Sequence, residues 1–167
     1  DYGRGFEAMA DTLSATLAHA ATLPQVDLKR IVLAGHSAGG AASLAVAARR
    51  PTGVVGVMNF GGGKGGGDDT PYAPCRPENV ERHFAGYAKT TELPSLWIYA
   101  PNDQYFGGPV APRWHAAYQA AGGRAQLVLT EPAPQDKAGH HIVNQHLNLW
   151  SPAAEAYLRS IGFAWGR

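Results

Sequence analysis

The chain has 167 residues, 45% hydrophobic and only 16% charged, which fits one domain with a sizeable core and excludes a disordered chain. Its net charge is +1 and no basic run exceeds Arg49-Arg50, so the stripe that a nucleic-acid surface requires is absent; nor is there an apolar stretch of about 18 residues to cross a membrane. A single cysteine, Cys75, excludes an intrachain disulfide and a zinc site built from several thiolates.

Taken in chain order, residues 4–21 place Phe6, Met9, Leu13 and Leu17 at helical spacing and predict an amphipathic helix that ends before Pro24. Residues 29–34 end in Ile31-Val32-Leu33-Ala34, the short apolar run of a buried strand. Residues 38–49 are alanine-rich and helical and stop before Pro51. A second strand covers 53–59, and the glycine-rich stretch Gly61–Gly67 follows it as a loop. A short helix is expected over 78–88 and a third strand over 94–100, around Leu96-Trp97-Ile98-Tyr99. The helix at 109–121 is ended by Gly122-Gly123. A fourth strand covers 125–130, and a last helix covers 152–161 with Pro152 near its start. Strands that alternate with helices imply an α/β fold, a mostly parallel sheet with helices on both faces. Such sheets bind ligands at the carboxyl ends of their strands.

After the first strand stands Gly35-His36-Ser37-Ala38-Gly39-Gly40, a G-x-S-x-G nucleophile elbow in its required strand–turn–helix context. Small residues two before and two after the serine let strand and helix approach, and the hydroxyl projects at the positive end of the helix. A serine needs a base, and in this arrangement the acid and then the histidine follow it in the chain. Asp103, directly after the third strand, is the expected acid; Asp68 and Asp69, in the glycine-rich loop, are its rivals. His140, after the fourth strand and directly behind Gly139, is the expected base, with His141 as alternative. The backbone amide of Ala38 is the expected oxyanion donor.

His36, Tyr105, Phe106 and His141 are candidates to border the substrate pocket. For His36, packing away from Ser37 is the simpler reading; for Tyr105 and Phe106, packing on the final helix is an equal alternative. The Gly61–Gly67 loop lacks the spacing of a phosphate loop and either borders the site or is plain surface. Trp97 and Trp150 are expected in the core. His19, His83, His115 and His146 need no function, and the histidines lack the partners that a metal site requires, so neither metal nor cofactor is expected.

Together these motifs resemble the α/β-hydrolase superfamily, and within it the dienelactone-hydrolase-like serine esterases. Tyr99-Ala100-Pro101-Asn102-Asp103-Gln104-Tyr105-Phe106, Gly139-His140-His141 and Leu149-Trp150-Ser151-Pro152 carry the resemblance beside the elbow. It implies hydrolysis of a small-molecule carboxylic ester through an acyl-enzyme, with Ser37, Asp103 and His140 as triad. A serine peptidase of the same superfamily is the alternative. Dienelactone hydrolases proper use a cysteine nucleophile; here that position is Ser37, so opening of their particular lactone is not implied.

The superfamily also carries several strands before the elbow, whereas one helix precedes it here. Residues 1–167 are therefore expected to be the C-terminal catalytic portion of one α/β-hydrolase domain. A preceding segment, or another chain, would complete the sheet beside Ile31-Val32-Leu33 and supply the second oxyanion donor. The alternatives are a trimmed stand-alone fold and an inactive fragment that needs such a partner. Composition selects no compartment.

Overall fold

The computed structural model describes residues 2–65, 74–135 and 138–164. Four strands form one sheet: β1 (Ile31–His36), β2 (Val54–Phe60), β3 (Ser95–Tyr99) and β4 (Ala125–Leu129). They pair in the order β1-β2-β3-β4, all parallel. The helices are α1 (Tyr2–Ala20), α2 (Ala38–Ala48), α3 (Pro77–Ala88), α4 (Val110–Ala120), α5 (Ile142–Gln145) and α6 (Leu147–Ser160), with a 3-10 turn at Gly139–His141 before α5. Rising strand order and right-handed crossovers require α2, α3 and α4 to lie on one face. The core obeys this. Leu33, Val57, Trp97 and Tyr99 pack with α1 to α4, whereas Met58, Phe60, Leu96 and Ile98 pack with Ile142, Ala154 and Tyr157 on the other face. That period-two split is why β2 and β3, covered on both faces, read as continuous apolar runs.

All predicted element ends but the start of the last helix fall within two residues of the sequence reading, and two differences bear on the site and its support. β1 begins at Ile31 and runs through Gly35 and His36, so Ser37 alone makes the turn into α2. The last helix begins at Leu147 and holds Pro152 inside it rather than near its start. An internal proline costs roughly 3 kcal/mol. Against that, Leu149 and Trp150 pack on the second core cluster, and the Trp150 ring meets Phe60 edge-on at 4.8 Å. Apolar burial of about 1.5–3 kcal/mol per side chain is of the size needed to offset the proline.

β1 is an end strand. Its apolar side chains are partly covered: Leu33 is buried, and Ile31 and Val32 are half-buried. What stays open is the outer backbone edge, flanked by two apolar grooves of about 350 and 300 Å³, one beside Ile31 and Leu17, the other beside Ala34 and Leu13. Among the described residues no helix is long and apolar enough to cross a membrane. Asp68 and Asp69 lie outside the described residues.

Candidate active site

All of the site elements leave the carboxyl end of the sheet. Ser37 follows β1 with φ 55° and ψ −126°, a conformation that costs a non-glycine residue about 1–3 kcal/mol. Its backbone is held from several sides. Its amide donates to the Phe60 carbonyl at 2.9 Å, and its carbonyl accepts from Gly40 and Gly63 at 2.9 and 3.2 Å. Gly35 makes the sharp turn possible, because a Cβ there would stand 2.2 Å from the Gly39 carbonyl oxygen. Gly40 is equally constrained, with the Asn59 Oδ1 2.3 Å from where its Cβ would be. Gly39 faces open space, so the second glycine of the motif is not required by crowding among the described residues. Ala38 opens α2, where the first amides lack intrahelical partners and the helix dipole is positive.

Asp103 is fully buried, and a buried carboxylate needs partners. Its Oδ1 accepts the amides of Tyr105 and Phe106 at 2.8 and 3.0 Å, and its Oδ2 lies 2.9 Å from the Nδ1 of His140. A carboxylate only accepts, so Nδ1 of His140 carries the proton. That leaves Nε2, on the ring edge away from Asp103, with a free lone pair. His140 is 6% exposed, and the Tyr105 and Phe106 rings meet it edge-on at 4.6 and 5.6 Å.

Ser37 and His140 line one cavity of about 290 Å³. Ala38, Tyr105, Phe106 and His141 line it too, and so do Gly63, Lys64 and Gly65, which brings the start of the glycine-rich loop to the site. His36 is not among its lining residues. The Nε2 of His36 lies 2.6 Å from the carbonyl oxygen of His140 instead, and burial pushes its pKa down from the ordinary imidazole value. Tyr105 and Phe106 face His140, not the final helix. Trp97 is fully buried, Trp150 is half-buried, and Cys75 is exposed. Among the described residues no three histidine, cysteine or acidic side chains stand together as a metal site.

Several residues that support the site stand outside the motifs' own candidates. Asn102 staples the loop after β3 to the loop after β4: its Nδ2 donates to the carbonyls of Ala133 and Gln135, and its Oδ1 accepts the Ala133 amide at 2.8 Å. Gly61, at φ 52°, covers the acid–base pair, since a Cβ there would lie 3.2 Å from the Asp103 Oδ2. Beneath that loop the Asn59 Nδ2 donates to the Tyr99 hydroxyl at 3.2 Å, and Tyr99 donates to the Gly62 carbonyl at 2.5 Å. Full burial pushes the Tyr99 pKa far up, so the phenol stays a donor. A lone asparagine in an apolar strand was the one readable sign of this chain of bonds.

Among solved structures, a "predicted CIB-like hydrolase" from Thermoplasma acidophilum is similar at TM-score 0.63 and 15% identity, with 93% of this chain and 60% of that one covered. Esterase PE8 is similar at TM-score 0.63 and 21% identity, over 93% of this chain and 61% of that one. Pyrococcus horikoshii acylaminoacyl peptidase is similar at TM-score 0.62 and 14% identity, over 98% of this chain and 29% of that one. The fold is therefore that of the α/β-hydrolases, and the chain spans about 60% of the first of these relatives. No protein of curated function matches the sequence. The sequence profile of the dienelactone hydrolase family matches residues 3–134, and the chain belongs to that family.

Proposed function

We propose that the protein is a serine hydrolase that cleaves carboxylic esters of small molecules. The observation that carries this reading is the buried His140–Asp103 pair, whose His140 lines the same cavity as the strained Ser37. In the proposed reaction the Ser37 hydroxyl attacks the ester carbonyl while His140 Nε2 takes its proton. Asp103 holds the imidazole in the Nδ1–H tautomer and stabilises its protonated form. The tetrahedral oxyanion forms at the amide of Ala38. Collapse expels the alkoxide, which takes the proton from His140 and leaves an acyl-serine. Water, deprotonated by His140, then releases the acid and restores Ser37. None of these steps calls on a cofactor.

The second oxyanion donor is proposed to come from an N-terminal segment, or a second chain, that completes the sheet beside β1. Ester is favoured over peptide because no acidic residue lines the cavity to anchor a peptide amino terminus among the described residues. The experiment is hydrolysis of paired ester and amide substrates of the same acyl group by the protein and its Ser37→Ala variant. Ester cleavage lost on substitution supports the reading; equal amide cleavage would favour a peptidase.

A further inference from the structure

His36 occupies the variable position of the elbow motif, where the reaction chemistry asks for no particular side chain. Alternation along β1 turns it to the same face as Val32, away from α2 and from Ser37. There it reaches across 104 positions of sequence: its Nε2 lies 2.6 Å from the main-chain oxygen of His140, and the two imidazole rings are 4.7 Å apart. A carbonyl oxygen can only accept, so the Nε2 of His36 donates and its tautomer is set. The bond is half-buried and therefore only partly exposed to competing water. The other anchors of the base loop run to the acid loop, through the Gly139 amide to the Asn102 carbonyl and the bridge of Asp103 to Ala138. Among the hydrogen bonds of the described residues, the one from His36 is the link from the serine-bearing strand to the backbone of the base itself.

We propose that His36 is a positioning residue: by donating to the His140 carbonyl it ties the nucleophile strand to the base loop and keeps serine and imidazole at one spacing. The inference rests on the reading of Ser37, Asp103 and His140 as a triad. Asp103 fixes the rotation and tautomer of the imidazole, whereas His36 fixes where its backbone stands relative to β1. A reacting pair displaced by about 1 Å loses on the order of 100-fold in rate, so a tether of this kind acts on turnover and little on binding.

Two substitutions separate a donor from a packed ring. His36→Phe keeps a ring and removes the donor; His36→Gln removes the ring and keeps an N–H at the place of Nε2. With an ester substrate, His36→Phe is expected to lower kcat about 10- to 100-fold with KM little changed, and His36→Gln to recover most of that loss. Wild-type kcat in His36→Phe, or an equal loss in both variants, would overturn the proposal. A second readout is independent of turnover: the downfield proton resonance of His140 Nδ1–H is expected to persist in wild type and His36→Gln and to broaden in His36→Phe. An unchanged resonance in His36→Phe would also overturn it. Activity that survives Ser37→Ala would instead sink the triad reading, and the resonance would still decide whether His36 holds the loop.

Discussion

At Ser37 the backbone conformation is one that glycine adopts freely and serine does not. Ser37→Gly removes strain of about 1–3 kcal/mol and adds about 0.4–1 kcal/mol of unfolded-chain entropy. The expected outcome is loss of hydrolysis together with a gain of about 1 kcal/mol, a rise of roughly 2–4 °C in Tm. Ser37→Ala loses hydrolysis without that rise. Thermal melts of the three proteins decide it, and a glycine variant that melts below the alanine variant would show that no strain is stored there. Asp103→Asn is expected to lower kcat by about 10⁴-fold, because the amide offers a donor where His140 Nδ1–H needs an acceptor. Burial lowers the pKa of His36 and of His83, whose charge Arg82 also opposes. The unfolded chain then binds more protons than the folded one, so stability rises with pH across that window. It should fall as pH drops from the ordinary histidine value of 6.5 towards the lowered folded values, and His36→Gln should flatten part of the fall. Urea midpoints between about pH 7.5 and pH 5 measure this. The residue types and their chain order were enough to single out Ser37, Asp103 and His140 as candidates, and the structure sets Asp103 against His140 and lines one cavity with His140 and Ser37. The contact of His36 with the His140 carbonyl was not legible, because nothing local says which distant carbonyl a half-buried imidazole will find.

Between residue and domain, the loops after the strands decide whether the site assembles. Gly139 packs with its Cα against the acid loop, where a Cβ would stand 2.4 Å from the Asp103 amide nitrogen. Gly139→Ala must therefore push the base loop off the acid loop. It is expected to reduce turnover at least as much as it reduces stability, which chemical denaturation and ester kinetics on one sample compare; unchanged kcat would show that the loop accommodates the methyl. Asn102→Ala removes three hydrogen bonds, each worth about 0.5–1.5 kcal/mol. The strands were readable because β2 and β3 are apolar on both faces. The start of α6 was not, because a proline near a helix end ordinarily marks its first turn, and here the burial of Leu149 and Trp150 upstream overrides it.

For the whole molecule, β1 and β4 are the two ends of the sheet, and the β1 end is the one flanked by the two apolar grooves. An unpaired edge invites pairing with another strand. We propose that an N-terminal segment of a longer polypeptide, or a second chain, pairs with β1 and covers the grooves beside Leu13 and Leu17. A polypeptide that carries such strands is expected to melt higher and aggregate less than the 167-residue chain; equal melting and equal solubility would count against the pairing. The parallel α/β sheet was foreseeable from the alternation of strands and helices, whereas the order β1-β2-β3-β4 was not, because alternation and right-handed crossovers permit several orders. The most direct test of the central claim is intact mass before and after a fluorophosphonate serine probe, on the protein and on Ser37→Ala. One adduct on the protein and none on the variant is the result expected of an assembled nucleophile. An adduct that persists on Ser37→Ala, or a folded wild-type sample that takes none, would contradict it.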